Sequence, residues 1–370
     1  MKLHCHRPTL TTAFQIVSGV VPTRTPKDIL RYVKLEVRAG KAVLIGTDQE
    51  VGIRYEIEGV ESDSEGATLL PTNRVLSILR ELQSDSLDFE VTPEAVFVRA
   101  AQSEFRLSAA DPTEFPVVRE PDVRCGYAVA SKSLREMIRR TVFATDIEST
   151  RYALGGIQME LDDGTMTLVA TDSRRLAVVS ADCRRVGEGG ESGSRPVIPS
   201  KAMTLFERTT GDDDEEALIV VDSNEVQICS GAATISSRLV EGRFPQYREV
   251  IPAQSSVEVE LVAGPFHSVV RQSQIITSEE SRGVEFCFAP GTLTLQSQAA
   301  DVGESRIELP ISYDGDDVRI TFDPRYVAEF LRVLDAETQV RLRMTDGESA
   351  AVFETGDNYT YVVMPLSKDR

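Results

Sequence analysis

Leu168-Val169-Ala170-Thr171-Asp172-Ser173-Arg174-Arg175-Leu176 is an apolar run closed by a polar turn, and its first five residues echo Leu44-Ile45-Gly46-Thr47-Asp48, 124 positions earlier. The same strand ending returning after a third of a 370-residue chain signals internal duplication. Two more echoes agree with it. Glu114-Phe115-Pro116 returns as Arg243-Phe244-Pro245, and Arg151 with Gly155-Gly156-Ile157 is matched by Arg282-Gly283-Val284. Three units of about 123 residues follow, with expected boundaries of 1–121, 122–250 and 251–370 near Glu120-Pro121 and Val250-Ile251-Pro252.

Each third carries two windows with apolar residues at helical spacing. They are Leu10/Ala13/Phe14/Val17, Val75/Ile78/Leu79/Leu82, Leu134/Met137/Ile138/Val142, Ala202/Leu205/Phe206, Phe266/Val269/Val270 and Val327/Phe330/Leu331/Leu334. Between them lie alternating stretches, among them Leu44 to Ile57, Thr165 to Ser180 and Val340 to Phe353. Turn signals such as Asp162-Asp163-Gly164 and Asp346-Gly347 break them up. The expected class is α+β: three similar domains, each with two helices packed on antiparallel sheets. Charge is sorted as well. The later five helical windows hold eleven basic residues (Arg74, Arg80, Lys132, Arg135, Arg139, Arg140, Lys201, Arg208, Arg271, Arg325, Arg332) against four acids. The whole chain is at −19, so a net positive balance is confined to one class of element, which suits a nucleic-acid backbone.

Signals for catalysis are poor. His4, His6 and His267 have no metal-ligand spacing, and the five cysteines form no C-x-x-C pair, which fits a reducing cytoplasm. In a strand His4 and His6 share a face while Cys5 points away. Gly187 to Gly193 lacks the Lys-Ser/Thr ending of a phosphate loop, and Asp212 to Glu216 reads as a solvated turn. Neither a cofactor nor a metal is expected. No apolar run approaches the ~20 residues of a membrane span, and no leader pattern opens the chain. The alternative from another class is a metal-dependent nuclease or hydrolase acting through Asp48 and Asp172. Against it, each Asp follows a Thr at a repeated strand end, as a structural turn requires. Tyr361-Val362-Val363-Met364-Pro365-Leu366 reads either as an edge strand stopped by proline or as a binding segment.

Thr171 to Leu176 resembles the T-D-G-H-R-L signature of the bacterial DNA polymerase III beta subunit family, the replicative sliding clamps. Glu241 to Tyr247 resembles its D-G-R-F-P-D-Y motif, and Tyr361 to Pro365 its Y-V-V-M-P terminus. The resemblance runs in order from Met1 to Leu366. It implies a clamp fold, a head-to-tail homodimer closed into a ring lined by twelve helices, and no chemistry of its own. The implied partners are double-stranded DNA, held without sequence readout, and the replicative polymerase, clamp loader and repair factors, which dock through short linear motifs. Carried over by position, DNA contacts fall on Arg24, Arg74, Arg151 and Tyr152; Arg135 and Arg139 join them as helix cations four apart. The partner-peptide pocket falls on Leu154, Thr171, Ser173, Arg174, Arg175, Leu176, Pro245, Val250, Val362, Met364, Pro365 and Leu366. This chain departs from the family by Ser173-Arg174 in place of Gly-His, by Asn73 with Arg74 beside it where a single basic residue is usual, by Glu148 and Ala153, and by the extension Ser367 to Arg370.

Overall fold

A computed structural model describes residues 1–121, 125–149, 153–162, 164–187, 193–210, 215–278, 281–300 and 302–366. One element order occurs three times, the third round having one strand fewer before its second helix. First come β1 (Lys2–His6), α1 (Arg7–Ser18), β2 (Tyr32–Arg38), β3 (Lys41–Thr47), β4 (Val51–Ile57), β5 (Val60–Ser62), β6 (Gly66–Pro71), α2 (Thr72–Glu81), β7 (Ser86–Val91), β8 (Ala95–Ala100) and β9 (Ser103–Ser108). The second round is β10 (Gly126–Ala130), α3 (Ser131–Thr141), β11 (Gly156–Asp162), β12 (Thr165–Thr171), β13 (Arg175–Asp182), β14 (Arg184–Val186), β15 (Val197–Pro199), α4 (Ser200–Thr209), β16 (Glu216–Val221), β17 (Glu225–Ser230) and β18 (Ala233–Arg238). The third is β19 (Val257–Val262), α5 (Ala263–Ser273), β20 (Val284–Ala289), β21 (Thr292–Ala299), β22 (Gly303–Pro310), β23 (Val318–Phe322), α6 (Pro324–Arg332), β24 (Gln339–Met344), β25 (Ala351–Thr355) and β26 (Tyr359–Val363). This is the three-fold α+β arrangement that the repeats predict.

All six helices coincide with the periodic windows, because each stripe has a core to face. α1 buries Leu10, Ala13, Phe14 and Val17, and β3 approaches it so closely that a Cβ on Gly46 would lie 2.8 Å from Val17. α6 is capped by Asp323, which accepts from the Arg325 amide, and carries Pro324 in its first turn. Its Phe330 stacks on Tyr361 with centroids 4.8 Å apart. Val142 and Leu334 fall just beyond their helices, and both are only half-buried. The long alternating stretches prove to be hairpins: Leu44 to Ile57 divides into β3 and β4, Thr165 to Ser180 into β12 and β13, and Val340 to Phe353 into β24 and β25. Asp48 and Asp172 make the first two bends, since each accepts the backbone N–H of the second and third residues after it.

The chain forms two compact units, residues 1–135 with 183–239 and residues 136–182 with 240–370. In the first, one antiparallel sheet runs β5-β1-β7-β8-β9 and another β14-β10-β16-β17-β18-β4-β3-β2-β6. The β18–β4 pairing, from Ala233 opposite Tyr55 to Ser237 opposite Val51, joins the middle round of elements to the first. In the second unit β11-β12-β13-β26-β25-β24-β19 lie in order, beside a sheet β22-β21-β20-β23. Here β13 pairs β26, from Arg175 opposite Val363 to Val179 opposite Tyr359. β26 is therefore an inner strand, and the edge-strand reading of the C-terminal segment is wrong. Among the terminal strands of these sheets are β9 in the first unit, paired on one side to β8, and β22 in the second, paired on one side to β21. His4 and His6 are exposed while Cys5 is buried, as strand alternation requires. No described helix is long and apolar enough to cross a membrane.

Candidate functional site

The β12–β13 turn shapes one wall of a cavity in the second unit. Thr171 donates its hydroxyl to the Arg175 carbonyl (2.6 Å) and accepts from the Ser173 amide (3.1 Å). Ser173 takes a left-handed backbone, φ 74°, where the family pattern has glycine. Asp172 accepts from the Arg174 and Arg175 amides and, through its other oxygen, from Arg175 Nε at 3.0 Å. The turn brings Leu176 beside Val362, its partner across the β13–β26 pairing. Met364 continues past the strand by donating its amide to the Arg174 carbonyl (2.9 Å). Opposite lies the segment after Arg243-Phe244-Pro245, turned back on itself in a short helical turn at Tyr247–Val250. Arg248 bonds the buried carboxylate of Glu160 and lies over the Tyr247 ring at 4.7 Å, which fixes this second wall.

Between the walls is a cavity of about 530 Å³. Nine of the twelve residues assigned from sequence line it: Thr171, Ser173, Arg174, Arg175, Leu176, Pro245, Val250, Val362 and Met364. Leu154 is buried outside the lining, and Pro365 and Leu366 run past it, Leu366 donating its amide to the Thr321 carbonyl. Arg243, Phe244, Gln246, Tyr247 and Glu249 line it as well and were not picked out individually, although the repeated Phe-Pro motif marks their location. Gln246 donates to Glu249 (2.6 Å) and accepts from Arg243 (3.0 Å).

Arg175 belongs to the lining, as its sequence reading has it, but its charge serves the protein interior. Its side chain runs into the protein, sandwiched between Phe143 (5.4 Å) and Tyr326 (4.6 Å) and bonded to Asp172, to Glu329 of α6 and to the Phe143 carbonyl. Burial opposes its charge, but Tyr361, Glu329 and Asp172 more than offset that and hold its pKa above the ordinary arginine value. It is a strut beneath the cavity, with its guanidinium fully engaged.

The helix cations divide into two kinds. Arg74, Arg80, Lys132, Arg139, Lys201, Arg208, Arg271, Arg325 and Arg332 are exposed, as is Arg24 in the loop after α1. Arg135 is half-buried, and Arg139 donates to the Val333 carbonyl at 3.4 Å. Arg140 is buried against Glu136 and Asp357 over the Tyr359 ring, so it adds nothing to an exposed positive face. Arg151 and Tyr152 lie outside the described residues. Burial first, then the neighbouring Arg271 and Arg332, push the His267 pKa down on α5.

The two aspartates of the nuclease alternative are occupied in turns. Asp48 repeats the bonding of Asp172 and also pairs with Lys201 of α4. Burial raises its pKa, but Lys201 and the Val51 and Glu50 amides prevail and leave it below the carboxylate norm. Among the described residues no cluster of His, Cys, Asp or Glu is arranged to hold a metal ion.

The chain matches the DNA polymerase III beta subunit N-terminal domain over residues 1–119, the central domain over 128–246 and the C-terminal domain over 248–367. It is 30% identical to the beta sliding clamp of Pseudomonas aeruginosa across 99% of this chain and 100% of that one, and 28% identical to that of Escherichia coli K12 over the same shares. The crystal structure of the Pseudomonas aeruginosa DNA polymerase III subunit beta superposes with a TM-score of 0.91 at 30% identity, covering 99% of this chain and 100% of that one. A sliding clamp from the same organism, solved bound to griselimycin, superposes with a TM-score of 0.91 at 29% identity, covering 99% of each chain.

Proposed function

The chain belongs to the DNA polymerase III beta subunit family, the beta sliding clamps, and from that premise we propose that two copies close head to tail into a ring that encircles duplex DNA. The observation that carries the reading is the pair of open strand edges. Within the chain, the last strand of one element round pairs the fourth strand of the round before it: β18 with β4, and β26 with β13. By the same rule β9 is due a partner of the β22 kind, which only a second copy can supply. Both edges alternate in exposure, with Phe105, Leu107, Ser305 and Ile307 on the covered side. The antiparallel register that keeps those faces together and follows the other two joints sets Arg106 opposite Glu304 and Glu104 opposite Arg306 of the partner subunit. Ile275, 74% exposed, fits the same scheme. It occupies the position that Phe143 holds in the middle round, where Phe143 packs on Tyr361 at 5.7 Å; its own counterpart would be Phe105 of the partner subunit.

In this reading the domains are 1–121, 122–250 and 251–370, and twelve helices from two chains face the DNA. Arg24, Arg74, Arg135, Arg139, Arg151 and Tyr152 supply contacts to phosphate without base readout, so the ring slides. The acidic remainder keeps the outer surface from competing for DNA. Polymerase and other partners dock an extended apolar segment in the cavity between Leu176 and Val250. Loading needs an ATP-driven partner, and the protein works in the cytoplasm without chemistry of its own. Light scattering should give twice the 40.7 kDa chain mass, and Phe105→Asp should halve it. The clamp loaded on nicked circular DNA should be lost when the circle is cut. A wild-type monomer at micromolar concentration, or equal retention on cut and closed DNA, would overturn the reading.

A further inference from the structure

We propose that Arg174 makes the cavity selective for an acidic ligand: a short extended peptide with an aliphatic anchor and an aspartate or glutamate directly beside it. The inference rests on the cavity being a peptide site. Its apolar surface, from Leu176, Val362, Pro245, Val250 and Met364, explains why an aliphatic side chain would enter but says nothing about charge. Charge selection depends on which ionised groups at the rim still lack a counter-ion. Arg175 is buried and bonded to Asp172 and Glu329. Arg243 and Glu249 are bridged through Gln246 and offset each other.

Arg174 stands apart. It is exposed and is in no ion pair among the described residues. Its backbone is pinned on both sides, the amide to Asp172 (2.9 Å) and the carbonyl to the Met364 amide (2.9 Å), so the side chain starts from a fixed point on the rim. The acids that attract it are already engaged: Asp172 with Arg175, and Asp323 with Arg325 at 2.5 Å. The Tyr326 hydroxyl beside it, then Asp172 and Asp323, keep it firmly protonated. A guanidinium held this way can take a carboxylate through two parallel N–H donors. The chain as a whole is at −19, so its net charge repels acidic ligands and this rim cation sets the local preference.

Fluorescence anisotropy on the full-length protein tests this with labelled seven-residue peptides that share a Leu-Leu anchor and differ only in a flanking Glu, Gln or Lys. The wild type should favour Glu over Lys by about fivefold at low salt, shrinking towards unity near ~0.5 M salt. Arg174→Lys should keep the order and Arg174→Glu should invert it, each read as the ratio of Glu-peptide to Lys-peptide affinity within the same variant. Leu176→Asp should abolish binding of all three. If the Gln peptide binds the wild type but the flank makes no difference, or if Arg174→Glu leaves the order unchanged, the charge selection is wrong and the peptide site stands. If no peptide binds the wild type, both fall together.

Discussion

The two internal joints of this chain are built on one turn and end in opposite states. At β3–β4, Thr47 donates to the Val51 carbonyl (2.8 Å) and Gln49 sits at φ 82°; at β12–β13, Thr171 donates to the Arg175 carbonyl (2.6 Å) and Ser173 sits at φ 74°. The next strand begins Val51-Gly52 in one and Arg175-Leu176 in the other. Gly52 leaves a space that Val118 fills so closely that a Cβ there would meet it at 2.8 Å. The segment after Glu114-Phe115-Pro116 therefore enters the core: Phe115 and Val118, 8% exposed, cluster with Ile45 and Leu69. At the second joint Leu176 occupies its own site, and the segment after Arg243-Phe244-Pro245 leaves the cavity open. There Val250 is 53% exposed and Met364 45%. One residue beyond a shared turn thus separates a joint sealed by its own linker from a joint with room for a ligand.

The strongest test of this contrast is Arg175→Met. It leaves Glu329 and Asp172 without their common cation and should destabilise the second unit by about 3 kcal/mol in urea denaturation. A variant as stable as the wild type would show that the strut does not brace the open joint. Gly52→Leu transplants the second joint's residue into the first. Overpacking against Val118 and Ser236 should cost about 2 kcal/mol, read as a lower Tm. An unchanged Tm would mean that the sealed joint yields freely, and the spatial explanation would fail. The smallest effect is one of pH. Asp48 has its folded pKa depressed, so its pairing with Lys201 stabilises the protein at pH values above the unfolded carboxylate pKa, and that stability is lost as pH falls through the lower folded value. Asp48→Asn should cost about 1 kcal/mol near neutrality and flatten this part of the acid limb below about pH 4. An acid limb identical to that of the wild type would remove Lys201–Asp48 as a fastening of the sealed joint.

The six helices and the threefold plan were legible in the chain itself. A 3.6-residue stripe such as Leu10, Ala13, Phe14 and Val17 has only one way to bury itself, and repeats need no partner to be counted. Most of the cavity lining was legible too, through motifs at Thr171-Asp172, Phe244-Pro245 and the C-terminal strand. Strand ends were harder. Leu44 to Ile57 alternates straight through its bend, and only the Asp48 side chain bonding the Glu50 and Val51 amides shows where the chain reverses. Burial of charge was not legible at all. Arg140 and Arg139 are neighbours on one helix, yet the former lies over Tyr359 between two carboxylates and the latter faces solvent. Arg174 and Arg175 divide the same way on one turn. Sequence alone determined the repeat, the helices and the excess of basic over acidic residues on them, because periodicity and composition are local properties. Which arginine becomes a strut, which joint closes, and which strand edges stay open were decided only in the tertiary structure, because each depends on residues far apart in the sequence competing for the same space and the same carboxylates.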